Sequence, residues 1–168
     1  MLVATDGSAN LAKGVAASGI YFERAIPPLK QAYTIRVPAF EFTGDFQLSQ
    51  TPANPTNNRG ELLAIIHAIR LITRIGYRLP VTILTDSQYC LYVYGWIRDR
   101  KPYSTRPNAD LVSQLNRAVE RATFPFELKK VKAHVTPAQR AKMSSEELAM
   151  VALNEKADRL ANYELINI

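Results

Sequence analysis

Cysteine and long apolar runs are scarce in this chain of 168 residues. Cys90 is its single cysteine, which excludes a disulfide within the chain and argues against a cysteine-based zinc site. The longest apolar stretch at helical spacing, residues 62–66, is far shorter than the roughly 18 residues that a membrane span needs, and no N-terminal stretch reads as a secretory signal. We therefore expect a soluble, intracellular protein that has no membrane partner.

Acidic residues are the minority charge. The 21 basic residues outnumber the 15 acidic ones, which gives a net charge of +6 and a pI near 9.5. This balance favours a polyanionic partner without identifying one, because many soluble domains are basic. With 47% hydrophobic residues the chain can bury one sizeable core. We expect a single domain over residues 1–168, acting as a monomer.

Apolar patterns along the chain alternate between strand and helix periodicity. One helix is clearest, because Leu62, Ile65, Ile66, Ile69 and Ile72 recur at spacings of three and four. Ser87 is a candidate N-cap for a second helix, and a capping box of Ser144 with Glu147 predicts a last one. The resulting order predicts an α/β fold, a sheet of about five strands with helices on its faces. The predicted strands are residues 2–5, 14–23, 33–37, 79–85 and 126–133, with a possible continuation at 40–48, a loop at 49–58 and a third helix at 109–123.

Two of these strands end in Thr-Asp. The apolar run that begins at residue 79 stops at Thr85-Asp86-Ser87, and the first run stops at Thr5-Asp6. Ligands of open α/β sheets bind at the carboxyl ends of parallel strands, so two carboxylates are expected at one edge. Taken alone, each acidic residue also has an ordinary structural role, as a turn former or a helix cap. Glu61 and Asp158, on predicted helices, are equally open to a structural explanation.

Five motifs together resemble type 1 ribonuclease H in order and approximate spacing. The likeness runs from Val3 to about Asn162, nearly the whole chain. It implies the ribonuclease H-like fold, a five-stranded mixed sheet flanked by helices. The motifs are Thr5-Asp6-Gly7-Ser8, Thr56-Asn57-Asn58-Arg59-Gly60-Glu61, Thr85-Asp86-Ser87-Gln88-Tyr89, Val131-Lys132-Ala133-His134 and Asn154-Glu155-Lys156-Ala157-Asp158.

The resemblance implies a metal-dependent endonuclease that hydrolyses the RNA strand of RNA/DNA hybrids and leaves 3′-hydroxyl and 5′-phosphate ends. By this likeness Asp6, Glu61, Asp86 and Asp158 hold two Mg²⁺ ions, which Mn²⁺ can replace. Carboxylates suit such hard cations, and two ions can activate water and stabilise the leaving oxygen. His134 resembles the family's mobile catalytic histidine, which assists proton handling or product release. His67 matches no motif, and we treat it as structural.

Substrate recognition is also implied by the resemblance. Asn57, Asn58 and Gln88 match the family's polar contacts to the hybrid, and amides can both donate to and accept from a 2′-hydroxyl. Thr56 matches a residue of its DNA phosphate site. The basic stretch at residues 96–106 is either a phosphate-binding rim or a solvated surface with Trp96 in the core. A reverse transcriptase or another nucleic-acid-processing protein is a candidate partner.

Two departures from the family pattern concern length. The segment between Asp86 and Asp110 is too short for the extended basic handle of several members, and the segment from His134 to Asp158 is longer than usual, which could move His134 away from the metals. Two other functions stay open. A DNA nuclease on the same fold is disfavoured by Asn57, Asn58 and Gln88, and an inactive nucleic-acid-binding or scaffold domain is disfavoured by the presence of all four carboxylates.

Overall fold

The computed structural model describes residues 1–10, 15–38 and 57–162, and the structural statements below refer to these residues. Five strands and five helices lie in this part of the chain. The strands are β1 (Leu2–Asn10), β2 (Val15–Phe22), β3 (Ala32–Pro38), β4 (Val81–Thr85) and β5 (Phe126–Lys130). The helices are α1 (Asn57–Arg74), α2 (Gln88–Arg98), α3 (Ala109–Arg121), α4 (Pro137–Arg140) and α5 (Ser145–Ala161).

The strands form one mixed sheet in the order β3-β2-β1-β4-β5. The β1, β2 and β3 strands pair antiparallel, whereas β4 runs parallel to both β1 and β5. An all-antiparallel sheet can be made from hairpins alone, but the parallel pairs require crossover connections, which here contain α1 and the α2–α3 pair. The five-stranded mixed sheet expected from the sequence is therefore confirmed.

Helices cover both faces of the sheet, so successive residues of the central strands are buried on opposite sides. Val3 and Ile83 belong to a core shared with α1, α2 and α3, whereas Ala4 and Leu84 belong to a second core shared with α5. This double burial explains why β4 has a nearly continuous apolar sequence. It also fixes the positions of α1 and α5 on the two sides of β1.

Helix boundaries follow the local signals in the sequence. Ser87 caps α2 by accepting a hydrogen bond from the Cys90 amide, and Ser144 forms the expected capping box with Glu147. Gly76 has a φ of 69° just after α1, a conformation that a helix end requires and that glycine adopts without strain. Among the described residues, no helix is long and apolar enough to cross a membrane.

Three predicted boundaries are wrong. The first strand does not end at Thr5, because pairing with β2 continues it to Asn10. The last strand ends at Lys130 rather than 133, where the Val131 amide donates to the Thr85 carbonyl and the chain turns towards α4. Asn57 and Asn58 belong to the first turn of α1, not to a loop. The proposed strand continuation at residues 40–48, and the rest of that loop, lie outside the described residues.

Candidate active site

Asp6 and Asp86 approach each other where β4 ends. Pairing between β1 and β4 stops at Ala4 and Leu84, and the Thr5 hydroxyl donates to the Leu84 carbonyl at 2.9 Å. Beyond this point β1 continues only against β2, so its β4-facing edge is open. Asp6 is therefore inside a strand rather than at its end, yet it still lies on the rim where parallel strands present their carboxyl ends.

Glu61 reaches the same rim from α1 because Gly7 lets the helix approach. A Cβ atom at Gly7 would lie 2.1 Å from the Gly60 carbonyl carbon and 2.5 Å from the Glu61 amide nitrogen. A glycine here is a packing requirement, since any side chain would separate the helix from the strand. As a result, ligand oxygens of Asp6, Glu61 and Asp86 all lie within 4.8 Å of one another.

Asp158 comes from α5 on the opposite face. Gly19, the cross-strand partner of Asp6, leaves room for this helix, because a Cβ there would lie 2.1 Å from the Ala157 carbonyl oxygen. Asn162 donates to the Asp158 carboxyl group at 3.3 Å and accepts a hydrogen bond from the Ser8 hydroxyl at 2.9 Å. Asp158 is outside the 4.8 Å group, but it is close enough to Asp6 to help raise the pKa of that carboxyl group.

The carboxyl groups are crowded, and two of them are buried. Only 4% of Asp6 and 7% of Glu61 are exposed. Burial raises the pKa of both carboxyl groups. Asp6 and Asp86 raise the pKa of Glu61 further, whereas the pKa of Asp6 is lowered by Glu61 and raised by Asp158 and Asp86. The Glu61 Oε2 atom has no hydrogen-bond partner among the described residues, and no lysine or arginine there forms an ion pair with this cluster. The site thus crowds carboxyl groups together, and no cation of the described residues compensates their ionisation.

His134 lies beside this cluster. It lines a small cleft of about 110 Å³ together with Asp86 and Asp158, so the long segment that follows it does not remove it from the carboxylates. The exposed histidine adopts a φ of 51° between two buried valines, Val131 and Val135, which anchor its loop in the core. Its side chain is thereby free to face the cleft while the loop ends are fixed.

Two cleft residues were not singled out from the sequence. Asn154 and Glu155 line the cleft as well. Their spacing of four and three residues before Asp158 places all three on one face of α5, a signal that was present in the sequence. The buried Asn154 Oδ1 atom has no hydrogen-bond partner among the described residues, and Glu155 forms an ion pair with Arg140 of α4.

Arg59 is a second buried charged residue. It lies two residues before Glu61 in the chain but on another side of α1. It binds both oxygens of Asp110, at 2.9 and 2.7 Å, and donates to the Asn108 side chain at 3.1 Å. Asn108 in turn donates to the Tyr89 hydroxyl at 3.0 Å. This network joins the start of α1 to α2 and α3. It depends on contacts distant in sequence, and so it could not be derived from local patterns.

The predicted substrate-contact residues are only partly described. Asn58 and Gln88 are exposed at the first turns of α1 and α2, close in sequence to Glu61 and Asp86. Thr56 lies outside the described residues, and only the backbone of Asn57 is described. Trp96 packs against the core, and the Arg106 guanidinium lies 4.3 Å from its ring centroid. Phosphate binding by this basic stretch stays a prediction.

Comparison with known proteins places the chain in a family. The RNase H family model matches residues 1–165. The chain is 35% identical over 123 residues to a ribonuclease H of Jannaschia sp. (strain CCS1), an alignment covering 68% of this chain and 66% of that protein. It is 35% identical over 118 residues to ribonuclease HI of Neisseria meningitidis serogroup B, covering 66% and 68%. The chain thus spans about two thirds of the length of these relatives.

Solved structures resemble the fold as a whole. A crystal structure of LC9-RNase H1, a type 1 RNase H with the type 2 active-site motif, superposes with a TM-score of 0.59 at 26% identity, covering 96% of this chain and 71% of that one. RNase H1 of Halobacterium salinarum NRC-1 superposes with a TM-score of 0.55, covering 96% and 93%, and at 14% identity it supports the fold alone. The chain therefore belongs to the RNase H family of hydrolytic endonucleases, with the fold of its type 1 members.

Proposed function

We propose that this chain is a metal-dependent endoribonuclease that hydrolyses the RNA strand of RNA/DNA hybrids and leaves 3′-hydroxyl and 5′-phosphate ends. The observation that carries the proposal is the convergence of Asp6, Glu61 and Asp86 within 4.8 Å at the rim of the sheet. Family membership gives the reaction class, but a fold can host several chemistries, so the site must carry the argument. We propose that residues 1–168 act as one domain and as a monomer, because one chain supplies every proposed ligand.

The carboxyl cluster suits a divalent cation. Its ligand atoms are hard oxygens, which Mg²⁺ and Mn²⁺ prefer over the nitrogen and sulfur ligands typical of zinc. Burial, together with repulsion between the carboxylates, raises the pKa values of Asp6 and Glu61, and the Glu61 Oε2 atom has no partner among the described residues. A bound cation would favour the charged form of both groups and give this oxygen a partner. We propose that Asp6, Glu61, Asp86 and Asp158 hold two Mg²⁺ ions, which when bound supply the activated water and stabilise the leaving oxygen.

The remaining residues of the site orient the substrate and move protons. Exposed and beside Asp86 in the cleft, His134 can accept or donate a proton at a reacting oxygen or assist product release. Asn58 and Gln88 can each bind a ribose 2′-hydroxyl, which distinguishes RNA from DNA. Asn57 is proposed for the same contact and Thr56 for a DNA phosphate.

Cleavage of labelled substrates tests this proposal. Wild type and Asp86→Asn are compared on an RNA/DNA hybrid, double-stranded RNA and double-stranded DNA, with Mg²⁺ and with EDTA. We expect wild type to cut the RNA strand of the hybrid only with Mg²⁺, and Asp86→Asn to be slower by about 10³-fold, since losing metal-based stabilisation costs several kcal/mol. Asp99→Asn is the matched control, because Asp99 is exposed at the end of α2.

The outcomes separate the alternatives. An intact hybrid, or an Asp86→Asn variant as fast as wild type, contradicts the proposal. Cleavage of double-stranded DNA in preference to the hybrid would instead indicate a DNA nuclease on this fold. Binding of hybrid without cleavage under any metal condition would indicate the inactive binding domain.

A further inference from the structure

A cationic groove lies between α1 and α3, away from the carboxylates. Its volume is about 480 Å³. Four of its lining residues are arginines and none is acidic, the complete lining being Arg70, Thr73, Arg74, Gln114, Arg117, Ala118 and Arg121. All four arginines are exposed, and none forms an ion pair with another described residue. The groove therefore carries a concentrated positive charge that the described part of the fold leaves unbalanced.

The groove is at the far end of α1 from the carboxylates. At the rise of an α-helix, Arg70 and Arg74 lie about 14 and about 20 Å along α1 from Glu61. The contact between Arg59 and Asp110 holds the N-terminal turns of α1 and α3 together, so both helices run away from the carboxylates. The groove is consequently separate from the acidic cleft, whose lining residues do not include any of α1.

Helix stability alone does not account for this arrangement. Basic residues in a last helical turn complement the negative end of the helix dipole, and this effect explains the positions of Arg74 and Arg121. Arg70 and Arg117 are one turn earlier, and each stands four residues from the other arginine of its helix, a like-charge spacing that destabilises a helix. A bound anion would be attracted to both arginines of a pair and would so offset their mutual repulsion.

Two uncharged groups add to the groove. Thr73 lines it, and the buried Thr73 Oγ1 atom has no hydrogen-bond partner among the described residues. Gln114 supplies an amide that can donate two hydrogen bonds. The lining contains no aromatic ring on which a base could stack, and Ala118 is its only apolar residue, the other apolar surface being the aliphatic parts of the polar side chains. These features suit repeated charged oxygens rather than bases or apolar side chains.

We propose that this groove binds the phosphodiester backbone of nucleic acid beyond the cleavage site. Arginine forks match phosphate oxygens in bidentate geometry, and the absence of stacking groups makes the contact independent of sequence. The choice of nucleic acid over an acidic peptide rests on the proposed function, since the substrate itself then carries the phosphates. Such an anchor would add substrate affinity to a chain whose connection between α2 and α3 is too short for a basic handle.

The test measures binding without cleavage. Fluorescence anisotropy in EDTA follows three labelled probes across a salt series: a short blunt hybrid, the same hybrid with a single-stranded DNA extension, and the same hybrid lengthened as a duplex. Wild type should bind at least one longer probe more tightly than the short one, and the probe that gains affinity identifies whether a flanking strand or the duplex occupies the groove. The Arg70→Gln/Arg117→Gln variant should lose this gain, and its salt slope on the longer probe should fall by about 2, one unit for each lost phosphate contact.

The controls separate folding, charge and function. Glutamine has nearly the helix propensity of arginine, so the melting temperature of the variant should stay near that of wild type. Arg24→Gln/Lys30→Gln removes the same charge from the exposed connection between β2 and β3 and should keep the gain. Cleavage of the short blunt hybrid with Mg²⁺ tests the proposed function separately, so its failure and that of the groove are distinguishable.

Three results would overturn the proposal. In the first, wild type binds all three probes equally. In the second, the groove variant keeps the full gain in affinity for the longer probe. In the third, a labelled polyglutamate peptide binds wild type more tightly than the longer probes do and loses its binding in the groove variant. That result would assign the groove to an acidic protein partner.

Discussion

Arg59 and Glu61 are both buried charged residues at the start of α1, and they differ in how the fold treats their charge. Arg59, only 2% exposed, contacts both oxygens of Asp110 and the side chain of Asn108. Glu61, 7% exposed, faces Asp6 and Asp86, which carry the same charge, and one of its oxygens has no partner among the described residues. The described part of the fold thus provides an opposite charge for Arg59 and none for Glu61.

This difference distinguishes structural charges from functional ones. Burying a charge without a partner is costly, so uncompensated buried carboxylates persist where a ligand or a reaction makes use of them. The pKa values point the same way. Contact with Arg59 lowers the pKa of Asp110, whereas burial and neighbouring carboxylates raise the pKa of Glu61. Arg59 therefore holds the helices together, and the contrast supports the proposed role of Glu61 as a metal ligand.

Gly7→Ala should have the largest effect, because it moves the start of α1, and with it Glu61, away from β1. The new methyl group would overlap the backbone of α1. We expect the free energy of unfolding to fall by about 3 kcal/mol, and we expect the variant to lose most of its cleavage of the hybrid. Denaturant unfolding and cleavage assays measure the two effects. Gly95→Ala is the control, since its Cβ would meet only the Arg98 side chain at 3.9 Å. A Gly7→Ala variant as stable and active as wild type would contradict the close approach.

Asp110→Asn should remove the negative charge that compensates Arg59. It leaves the buried Arg59 guanidinium without its carboxylate, and because Asp110 is partly exposed we expect a loss of about 2 kcal/mol rather than the larger cost of a fully buried pair. The lowered pKa of Asp110 adds stability above its unfolded-state pKa, so the difference from wild type should shrink as the pH falls. Chemical denaturation at neutral and acidic pH measures this.

Asp99→Asn is the matched control, since Asp99 pairs with Arg98 on the exposed surface. The metal affinity of Asp110→Asn should stay near that of wild type. A large loss of metal affinity would mean that Arg59 and Glu61 are not separate in function.

His134→Ala removes a cleft residue that takes no part in either charge balance. We expect turnover of the hybrid to fall by roughly 10- to 100-fold, at the low end for a proton-transfer residue, with metal binding and melting temperature near those of wild type. Single-turnover cleavage and a thermal melt with Mg²⁺ measure the two. Complete loss of metal binding would place His134 among the ligands and contradict its secondary role.

Glu61→Gln should have the smallest effect on stability, and in the opposite direction to most substitutions. In EDTA the variant should be more stable than wild type by about 1 kcal/mol near neutral pH, since an amide removes the crowded charge. The sign follows from the raised pKa, because wild type loses stability as the pH rises from the unfolded-state pKa near 4.3 towards neutrality. Thermal melts across this range, with and without Mg²⁺, measure the effect.

The matched control for this comparison is Glu120→Gln, because Glu120 is exposed on α3. Added Mg²⁺ should raise the melting temperature of wild type more than that of Glu61→Gln. A Glu61→Gln variant that melts below wild type in EDTA at neutral pH would mean that the Glu61 charge is compensated by the fold.

Local signals in the sequence predicted much of the fold. The apolar stripe of α1, the N-cap at Ser87 and the capping box at Ser144 depend on residues close in the chain, and the structure has all of them. A second capping box, Thr136 with Gln139, starts α4 and depends on the same kind of local signal. The extension of β1 past Thr5 was missed because it depends on pairing with β2.

Contacts distant in sequence set the limit for the site as well. The motifs indicated which acidic residues to compare, but only the fold brings Asp6, Glu61 and Asp86 together, through the open edge of β1 and the close approach at Gly7. The pairing of Arg59 with Asp110 links two helices that no local pattern connects. Sequence reasoning therefore identified the carboxylates that the fold brings together and missed the residues that hold them in place.

The position of Mn²⁺ in crystals of the protein, located by anomalous scattering, tests the proposed metal site most directly. We expect peaks among the carboxyl groups of Asp6, Glu61, Asp86 and Asp158, and weaker or absent peaks in crystals of Glu61→Gln. Mn²⁺ bound elsewhere, with no peak at these carboxylates, would contradict the proposed site.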